Sequence, residues 1–244
     1  MSQNVTLIGL GGIGCAVARA LPQTLAWVST PGNRYVVNLV DGDMFEPHNA
    51  ARQTFHRAGF KADVIAEALR AAYKPDVHND LPPISFRPYS QMVTPDNVAA
   101  HIVSGDFVLL AVDHHWPRRV VSEYASNLAT IVVISGSNSK LTDGTVQLYA
   151  RSRGRNLTLP LHNTHHPEIA TATSQGQPAH GCGMRYRDPE SKQLFVVNNR
   201  VAATMMELLH RLMTTSDASV ASLPDEVRLD VATLTQRPVT LRQS

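Results

Sequence analysis

The sequence of 244 residues has only two cysteines, Cys15 and Cys182. Two cysteines cannot form a framework of disulfides, and they exclude a zinc site built from paired CxxC motifs. So few cysteines are typical of a protein from a reducing compartment. We therefore expect a cytoplasmic protein without structural zinc.

Long apolar runs and an excess of one charge are also missing. No stretch approaches the roughly 18 consecutive apolar residues of a membrane-spanning helix, and the first residues lack the basic and apolar regions of a signal peptide. The 22 basic and 20 acidic residues give a formal net charge of +2, with no long run of one sign. We expect neither export, nor a membrane, nor nucleic acid as a partner.

What is present is a pattern of buried strands and helices in alternation. With 43% hydrophobic and 17% charged residues, the chain can bury a sizeable core. Apolar runs predict strands over 4–8, 35–40, 107–112 and 130–135, and helical spacing predicts helices over 14–26, 60–73, 95–103 and 118–129. This order indicates an α/β protein with a Rossmann-like, doubly wound and mainly parallel sheet.

The second half of the sequence differs in composition and in periodicity. Residues 152–193 are rich in Pro, Gly, His, Thr and Arg and show little periodicity, and loops of such length are usually functional or mobile. Helical spacing returns over 196–213, and the tail can supply a final strand. We predict a nucleotide-binding core over 1–150, a flexible crossover segment over 151–195, and a helix and tail over 196–244 that complete the same domain.

A glycine turn, GLGGIG, joins the first strand to the first helix. Gly9, Gly11 and Gly14 satisfy G-x-G-x-x-G, in which small residues let the backbone approach a phosphate at a helix N-terminus. Asp41 ends the next strand, where an acid can bind a ribose hydroxyl. The alternative is a tight turn that binds nothing. The context favours a nucleotide.

Polar side chains are dense after the second strand. The stretch DGDMFEPHNAARQ brings an acid, amide and cation set to the crevice beyond the strand ends: Asp41, Asp43, Asn49, Arg52 and Gln53. Lys61 opens the next helix. A nicotinamide cofactor does not need this density of charge, whereas a triphosphate with a metal does. The pattern therefore favours a triphosphate with a metal over a nicotinamide cofactor.

Several of these elements occur together in a fixed order. The order is GLGGIG, a strand ending in DGD, PHNAARQ, the helix opened by Lys61, and VLLAVD with Arg118 five positions later. In this order they resemble the E1-like superfamily, which includes the ThiF and MoeB adenylating enzymes and the core of the ubiquitin-activating enzymes. The resemblance covers about residues 4–135, and the last third of the chain matches only loosely.

The resemblance implies an ATP-dependent enzyme that adenylates the C-terminal carboxylate of a small ubiquitin-like or sulfur-carrier protein and releases pyrophosphate. It implies that Arg52 and Lys61 bind the phosphates and that Asp113 binds Mg²⁺. The nucleotide site that it implies comprises Gly9, Gly11, Gly12, Gly14, Asp41, Asp43, Asn49, Arg52, Gln53, Lys61, Asp113 and His114. Within this set, Asp41 would hold the ribose and Gly12 would let the backbone lie against the nucleotide.

Each charged residue also has a simpler interpretation. Arg52 can be a solvated surface arginine, and Lys61 a surface residue at a helix N-terminus. Asp113 ends a buried strand, where an unpaired carboxylate is costly, so a metal, phosphate or capping role is expected. Arg118 is expected to serve the fold by pairing with an acid.

In many members of the superfamily, a cysteine in the crossover segment takes the activated protein as a thioester or handles sulfur. Cys182 lies in that region, and the neighbouring His180, Arg185 and Arg187 would favour its thiolate. An incidental loop cysteine is the alternative. Cys15, inside the first helix, is expected to be a small packing residue.

The histidines do not indicate a metal site. Their spacing in the second half, together with Cys182, forms no recognised ligand pair, and this applies to His162, His165, His166 and His180. His114 follows Asp113 where the superfamily often has Asn, so its contact with a nucleotide is a departure from the pattern.

Partners follow from the resemblance alone. It implies a carrier protein as partner and a homodimer, and it leaves open an E2-like protein as a second partner. Homodimeric members have an N-terminal arginine that reaches the neighbouring site, and no equivalent of it is evident here. Two other functions stay open. One is a non-catalytic E1-like subunit that binds a partner, and the other is a nicotinamide-dependent oxidoreductase, favoured only by the glycines.

Overall fold

The computed structural model describes most of the chain, namely residues 2–46, 49, 53, 55–74, 81–138, 142–163, 166–174 and 195–241. Its strands are β1 (Ser2–Ile8), β2 (Arg34–Val40), β3 (Met44–Phe45), β4 (Gly59–Phe60), β5 (Ile84–Tyr89), β6 (Phe107–Leu110), β7 (Ile131–Asn138), β8 (Asp143–Ser152), β9 (Arg155–Asn156), β10 (Glu226–Asp230) and β11 (Thr235–Val239). Its helices are α1 (Gly12–Val28), α2 (Lys61–Ala72), α3 (Val98–His101), α4 (His115–Ala125), α5 (Pro167–Ala170), α6 (Phe195–Thr214) and α7 (Asp217–Val220).

The central sheet has the strand order β11-β10-β8-β7-β6-β1-β2-β5. The five strands from β7 to β5 are parallel, and β8, β10 and β11 are antiparallel additions at one edge. The chain winds from β1 in one direction through β2 and β5, and in the other through β6 and β7. The predicted doubly wound sheet is confirmed, and its switch point lies between β1 and β6, where such sheets bind ligands.

Helices cover both faces of this sheet. On one face α1, α2 and α6 share a core in which Val17 and Leu21 pack with Val201 and Met205. On the other face α3, α4 and α5 bury Val121 and neighbouring apolar residues against the sheet. Burial on both faces explains why β6 is a continuous apolar run and why β1 ends in the buried residues 5–8. None of the helices among the described residues is long and apolar enough to cross a membrane.

Several elements differ from their predicted extent, and the structure gives a reason for two of them. The helix expected over 95–103 is only Val98–His101, because Asn97 accepts a hydrogen bond from the Thr94 N–H and holds a turn before it. The tail forms two strands rather than one, because β10 pairs with β8 and β11 then folds back on β10. Such pairing joins residues far apart in the chain, so local patterns do not encode it.

The described part of the segment after β8 is attached at several points. The Leu159 N–H donates to Asp225 Oδ1, and Arg119 of α4 donates to the Ala172 carbonyl. The His162 ring lies 2.7 Å from the hydroxyl of Ser122, also in α4. These contacts attach the described residues 157–163 and 166–172 to α4 and to Asp225, the residue before β10.

Candidate functional site

A cavity of about 530 Å³ opens at the carboxyl ends of the parallel strands. It spans the switch point between β1 and β6. Eight of the residues predicted for the nucleotide site line it: Gly9, Gly11, Gly12, Asp41, Asp43, Lys61, Asp113 and His114. The structure thus brings together residues that lie up to about a hundred positions apart in the sequence.

The glycine turn brings the helix close to the sheet. Gly9 has a φ of 88°, and a Cβ there would lie 2.7 Å from the Ala111 carbonyl oxygen. A Cβ on Gly14 would lie 1.9 Å from the Gly9 carbonyl oxygen. Both glycines are therefore needed for the close packing of β1, α1 and the end of β6.

The N-terminus of α1 faces the cavity. Gly11 is the N-cap residue, and no side chain at this position accepts a hydrogen bond from the first N–H groups of the helix. A Cβ on Gly11 would have one neighbour within 4 Å among the described residues, Gln53 Nε2 at 3.9 Å. The first N–H groups of a helix carry a partial positive charge and bind anions well. This end of α1, 17 residues long, can therefore hold a phosphate.

Asp41 organises the turn from the end of β2. Its Oδ2 accepts a hydrogen bond of 2.5 Å from the Leu10 N–H, and its Oδ1 accepts one of 2.8 Å from the Asp43 N–H. Burial raises the pKa of Asp41, and the charge of Lys61 and the two N–H donors oppose this shift. The carboxylate thus links the end of β2 to the glycine turn.

Lys61 is buried, not solvated. Its side chain is 8% exposed, and its Nζ lies 3.0 Å from Oδ2 of Asp43, whose side chain is 55% exposed. The Lys61 N–H also donates to the Asp43 carbonyl oxygen. The pair holds a positive charge at the cavity wall, next to the acid that ends β2.

Asp113 follows β6 and lies in the same wall. Its side chain is 31% exposed, and an oxygen lies 3.5 Å from His114 Nε2. A partly exposed carboxylate oxygen in a cavity is a suitable ligand for a hard cation.

Arg118 is buried beneath this wall. Its guanidinium donates to the carbonyl oxygens of Val112 and Gly136 and to the Ser135 hydroxyl. Burial lowers the pKa of Arg118 to about 10, and the charge of Asp113 opposes the shift. Among the described residues its hydrogen bonds go to main-chain and hydroxyl oxygens, and the acid Asp113 acts on it through its charge.

The remaining predicted residues lie in different situations. Asn49 is buried, and its Oδ1 accepts from the Glu46 N–H. Gln53 is buried beside Gly11, and its Oε1 has no hydrogen-bond partner among the described residues. Arg52 and Cys182, with His165, His180, Arg185 and Arg187, lie outside the described residues.

The prediction for Cys15 is confirmed. Its side chain is 1% exposed and its Sγ donates to the Leu10 carbonyl oxygen at 3.1 Å. Burial raises the pKa of this thiol to about 12. Such a thiol packs and does not react.

The far end of the cavity was not predicted from the sequence. It is lined by uncharged polar side chains of β7 and β8, with a histidine and an acid beside α5: Ser137, Asn138, Thr145, Gln147, His166 and Glu168. The antiparallel register places Ser137 opposite Thr145. The only signal for it was the polar run SGSN at the end of an apolar strand.

His166 anchors this end. Its Nε2 lies 2.5 Å from the buried Glu226 of β10, and its Nδ1 lies 3.1 Å from Glu168. The hydrogen bond with Glu226 raises the pKa of His166 and so favours the charged form of the imidazole.

Comparisons with known proteins agree with this architecture. A model of the ThiF family matches residues 1–220. The adenylyltransferase and sulfurtransferase uba4 of Aspergillus clavatus is 33% identical over 128 residues, which are 51% of this chain and 23% of that protein. The adenylyltransferase and sulfurtransferase MOCS3 of Drosophila sechellia is 29% identical over 63% of this chain and 31% of its own length. The chain thus spans a quarter to a third of these relatives.

Solved structures show the same fold. Escherichia coli MccB, crystallised with AMPCPP and MccA, superposes with a TM-score of 0.65 at 18% identity, covering 99% of this chain and 65% of that one.

Proposed function

Because the chain belongs to the ThiF family, we propose that it adenylates the C-terminal carboxylate of a small ubiquitin-like or sulfur-carrier protein with ATP. The names of the longer relatives, adenylyltransferase and sulfurtransferase, support this activity. So does the AMPCPP in the MccB crystals, which is a nucleotide held by the same fold. The function is that of an E1-like adenylyltransferase.

One observation carries the proposal. The cavity joins the N-terminus of α1, the buried Lys61 and the partly exposed Asp113 at the switch point of the sheet. In adenylation, a carboxylate oxygen attacks the α-phosphorus of ATP, and the bond from that phosphorus to the bridging oxygen breaks to release pyrophosphate. Fixed positive charge around the phosphate stabilises the negative charge on the phosphoryl oxygens.

The proposed roles follow from the positions of the residues. The N–H groups at Gly11 and Gly12 face the α-phosphate, and Lys61 binds the phosphates after exchanging part of its contact with Asp43. Asp41 binds the ribose in addition to fixing the turn. Arg52 joins Lys61 on the phosphates, in accordance with its place in the NAARQ run. Asn49, Gln53 and His114 complete the site.

Mg²⁺ fits the donor set at one position. Asp113 offers a carboxylate oxygen in the cavity, and Mg²⁺ in nucleotide sites is commonly held by one or two carboxylates and the phosphates. When bound, the cation would neutralise charge on the departing pyrophosphate. Asp113 would hold it.

The acceptor enters at the far end of the cavity. Ser137, Thr145 and Gln147 can hydrogen-bond the main chain of an extended peptide tail, and they add no charge that would repel its carboxylate. Cys182 is the proposed site of a later thioester, from which an E2-like protein could take the product. A homodimer in the cytoplasm completes the proposal.

Exchange of labelled pyrophosphate into ATP tests this function. We expect exchange that requires the carrier protein and that is lost in Asp113→Ala, but kept in the control Lys74→Ala, which changes an exposed lysine after α2. Absence of exchange with every carrier would contradict adenylation. ATP binding without exchange would then favour a non-catalytic subunit, and stabilisation by NAD instead of ATP would favour an oxidoreductase.

The thioester needs its own measurement. Intact mass after reaction with carrier and ATP should show a covalent adduct that thiols remove. Cys182→Ser should lose this labile adduct and keep pyrophosphate exchange. An unchanged adduct in Cys182→Ser would exclude this cysteine.

A further inference from the structure

Two asparagines form a bridge between the far end of the cavity and the glycine turn. Asn138, the last residue of β7, lines the cavity. Its Nδ2 donates a hydrogen bond of 2.6 Å to Oδ1 of Asn198, in the first turn of α6. Asn198 is 1% exposed, so the bond fixes the amide of Asn138 from a buried position.

The other end of the Asn198 amide lies on the glycine turn. A Cβ on Gly12 would lie 2.3 Å from Asn198 Nδ2, so the amide packs directly against the Gly12 Cα. Among the described residues this Nδ2 has no hydrogen-bond partner. A buried donor without a partner is costly, so its retention at this position calls for a role.

The two parts that Asn198 joins bind different ligands in the proposed reaction. Gly12 belongs to the wall that faces the nucleotide, whereas Asn138 belongs to the end that receives the carboxylate. Formation of the acyl adenylate requires an oxygen on one side to meet a phosphorus on the other. Small errors in such an alignment are costly, since a misplacement of about 1 Å can slow a reaction about a hundredfold.

We propose that Asn198 is a positioning residue for acyl-adenylate formation, which fixes the acceptor end of the cavity against the glycine turn by holding Asn138 and packing on Gly12. This inference rests on the proposed function. It assigns to the first turn of α6 a role that no sequence motif indicated. Asn198 acts through its neighbours and does not itself line the cavity.

Two adenosine probes test the role in the full chain. AMP occupies only the nucleotide side, whereas glycylglycyl sulfamoyl adenosine, a stable mimic of an acyl adenylate, extends to the acceptor end. We expect Asn198→Ala to bind AMP within about twofold of wild type and the mimic about 10- to 100-fold more weakly. Calorimetry gives both dissociation constants.

Two further variants make the result specific. Asn138→Ala removes the bridge from the cavity side and should likewise keep the affinity for AMP and weaken that for the mimic. This variant tests the inference even if Asn198→Ala fails to fold. Asn199→Ala is the control, because Asn199 donates only to the Phe195 carbonyl within α6 in the described part of the chain, and it should leave both affinities unchanged.

Three results would overturn the inference. One is full retention of affinity for the mimic in both variants, and another is an equal loss for AMP and the mimic. The third is a wild-type protein that binds the mimic no more tightly than AMP. This last result would refute adenylation itself, whereas the first two would leave it intact.

Discussion

The Nζ of Lys61 lies 3.0 Å from Oδ2 of Asp43, and the lysine is buried while the acid is half exposed. A phosphate entering the cavity can replace Asp43 as the partner of this ammonium group without moving the lysine out of the wall. The pair therefore keeps a cation in place that a phosphate can bind.

Removal of this charge should weaken ATP binding. We expect Lys61→Ala to lower the affinity for Mg-ATP about 10- to 100-fold, because a charged hydrogen bond to phosphate is lost. Isothermal calorimetry measures the change. Lys74→Ala is the matched control, because Lys74 is an exposed lysine just after α2. An equal loss of ATP affinity in both variants would contradict a specific role of Lys61.

Substitution by alanine should have different effects at two glycines of the turn. Gly14→Ala should destabilise the fold by about 1–3 kcal/mol or more, because the new Cβ would lie 1.9 Å from the Gly9 carbonyl oxygen. Gly11→Ala should cost only about 1 kcal/mol, since the position has space and ordinary φ and ψ. It should nevertheless weaken AMP binding.

Urea unfolding and AMP titration of both variants check this contrast. A well-folded Gly14→Ala protein would show that the turn adjusts more easily than the packing indicates. Unchanged AMP binding by Gly11→Ala would place the phosphate elsewhere.

The ion pair between His166 and Glu226 should make stability depend on pH. Its hydrogen bond with Glu226 raises the pKa of His166 above the unfolded value of 6.5. The contribution of His166 to the free energy of unfolding is therefore complete below about pH 6.5. It is lost as the pH rises through the pKa of His166 in the folded protein. Burial favours the neutral acid of Glu226, but hydrogen bonds from His166 and Arg228 outweigh it and lower its pKa, so its contribution is lost only at acid pH.

His166→Gln should thus lower the free energy of unfolding most near pH 6, by about 1–3 kcal/mol, and by less at pH 9. Urea unfolding at the two pH values measures the difference. His210→Gln on α6 is the control. A cost that grew from pH 6 to pH 9 would contradict the charged pair.

Cys15 should resist modification in the folded protein. Its thiol is buried and burial raises its pKa to about 12, so almost no thiolate exists at pH 8. Iodoacetamide treatment followed by peptide mass mapping should label Cys15 only after addition of urea. Rapid labelling of Cys15 in the native protein would refute its packing role.

Much of the glycine-turn side of the cavity could be predicted from the sequence. The run from β1 through the glycine turn to α1 is local, and Asp41 and Asp113 each follow an apolar strand directly, so parallel strands had to bring them to one edge. The far end could not be predicted in the same way. His166 meets Glu226 sixty positions later through the pairing of β8 and β10, and Asn198 reaches Gly12 from the other end of the chain. No local pattern encodes such contacts.

The burial of Lys61 shows the same limit. From the sequence, a lysine at the start of a helix can equally be solvated. Lys61 is buried because β3 pairs with β4. This pairing brings the Lys61 N–H to the Asp43 carbonyl oxygen and places the start of α2 against the end of β2.

A crystal structure with ATP and Mg²⁺ tests the central claim most directly. It should place the α-phosphate at the N-terminus of α1, with the Lys61 ammonium on the phosphates and the Asp113 carboxylate on the metal. A triphosphate bound away from both residues would contradict the account.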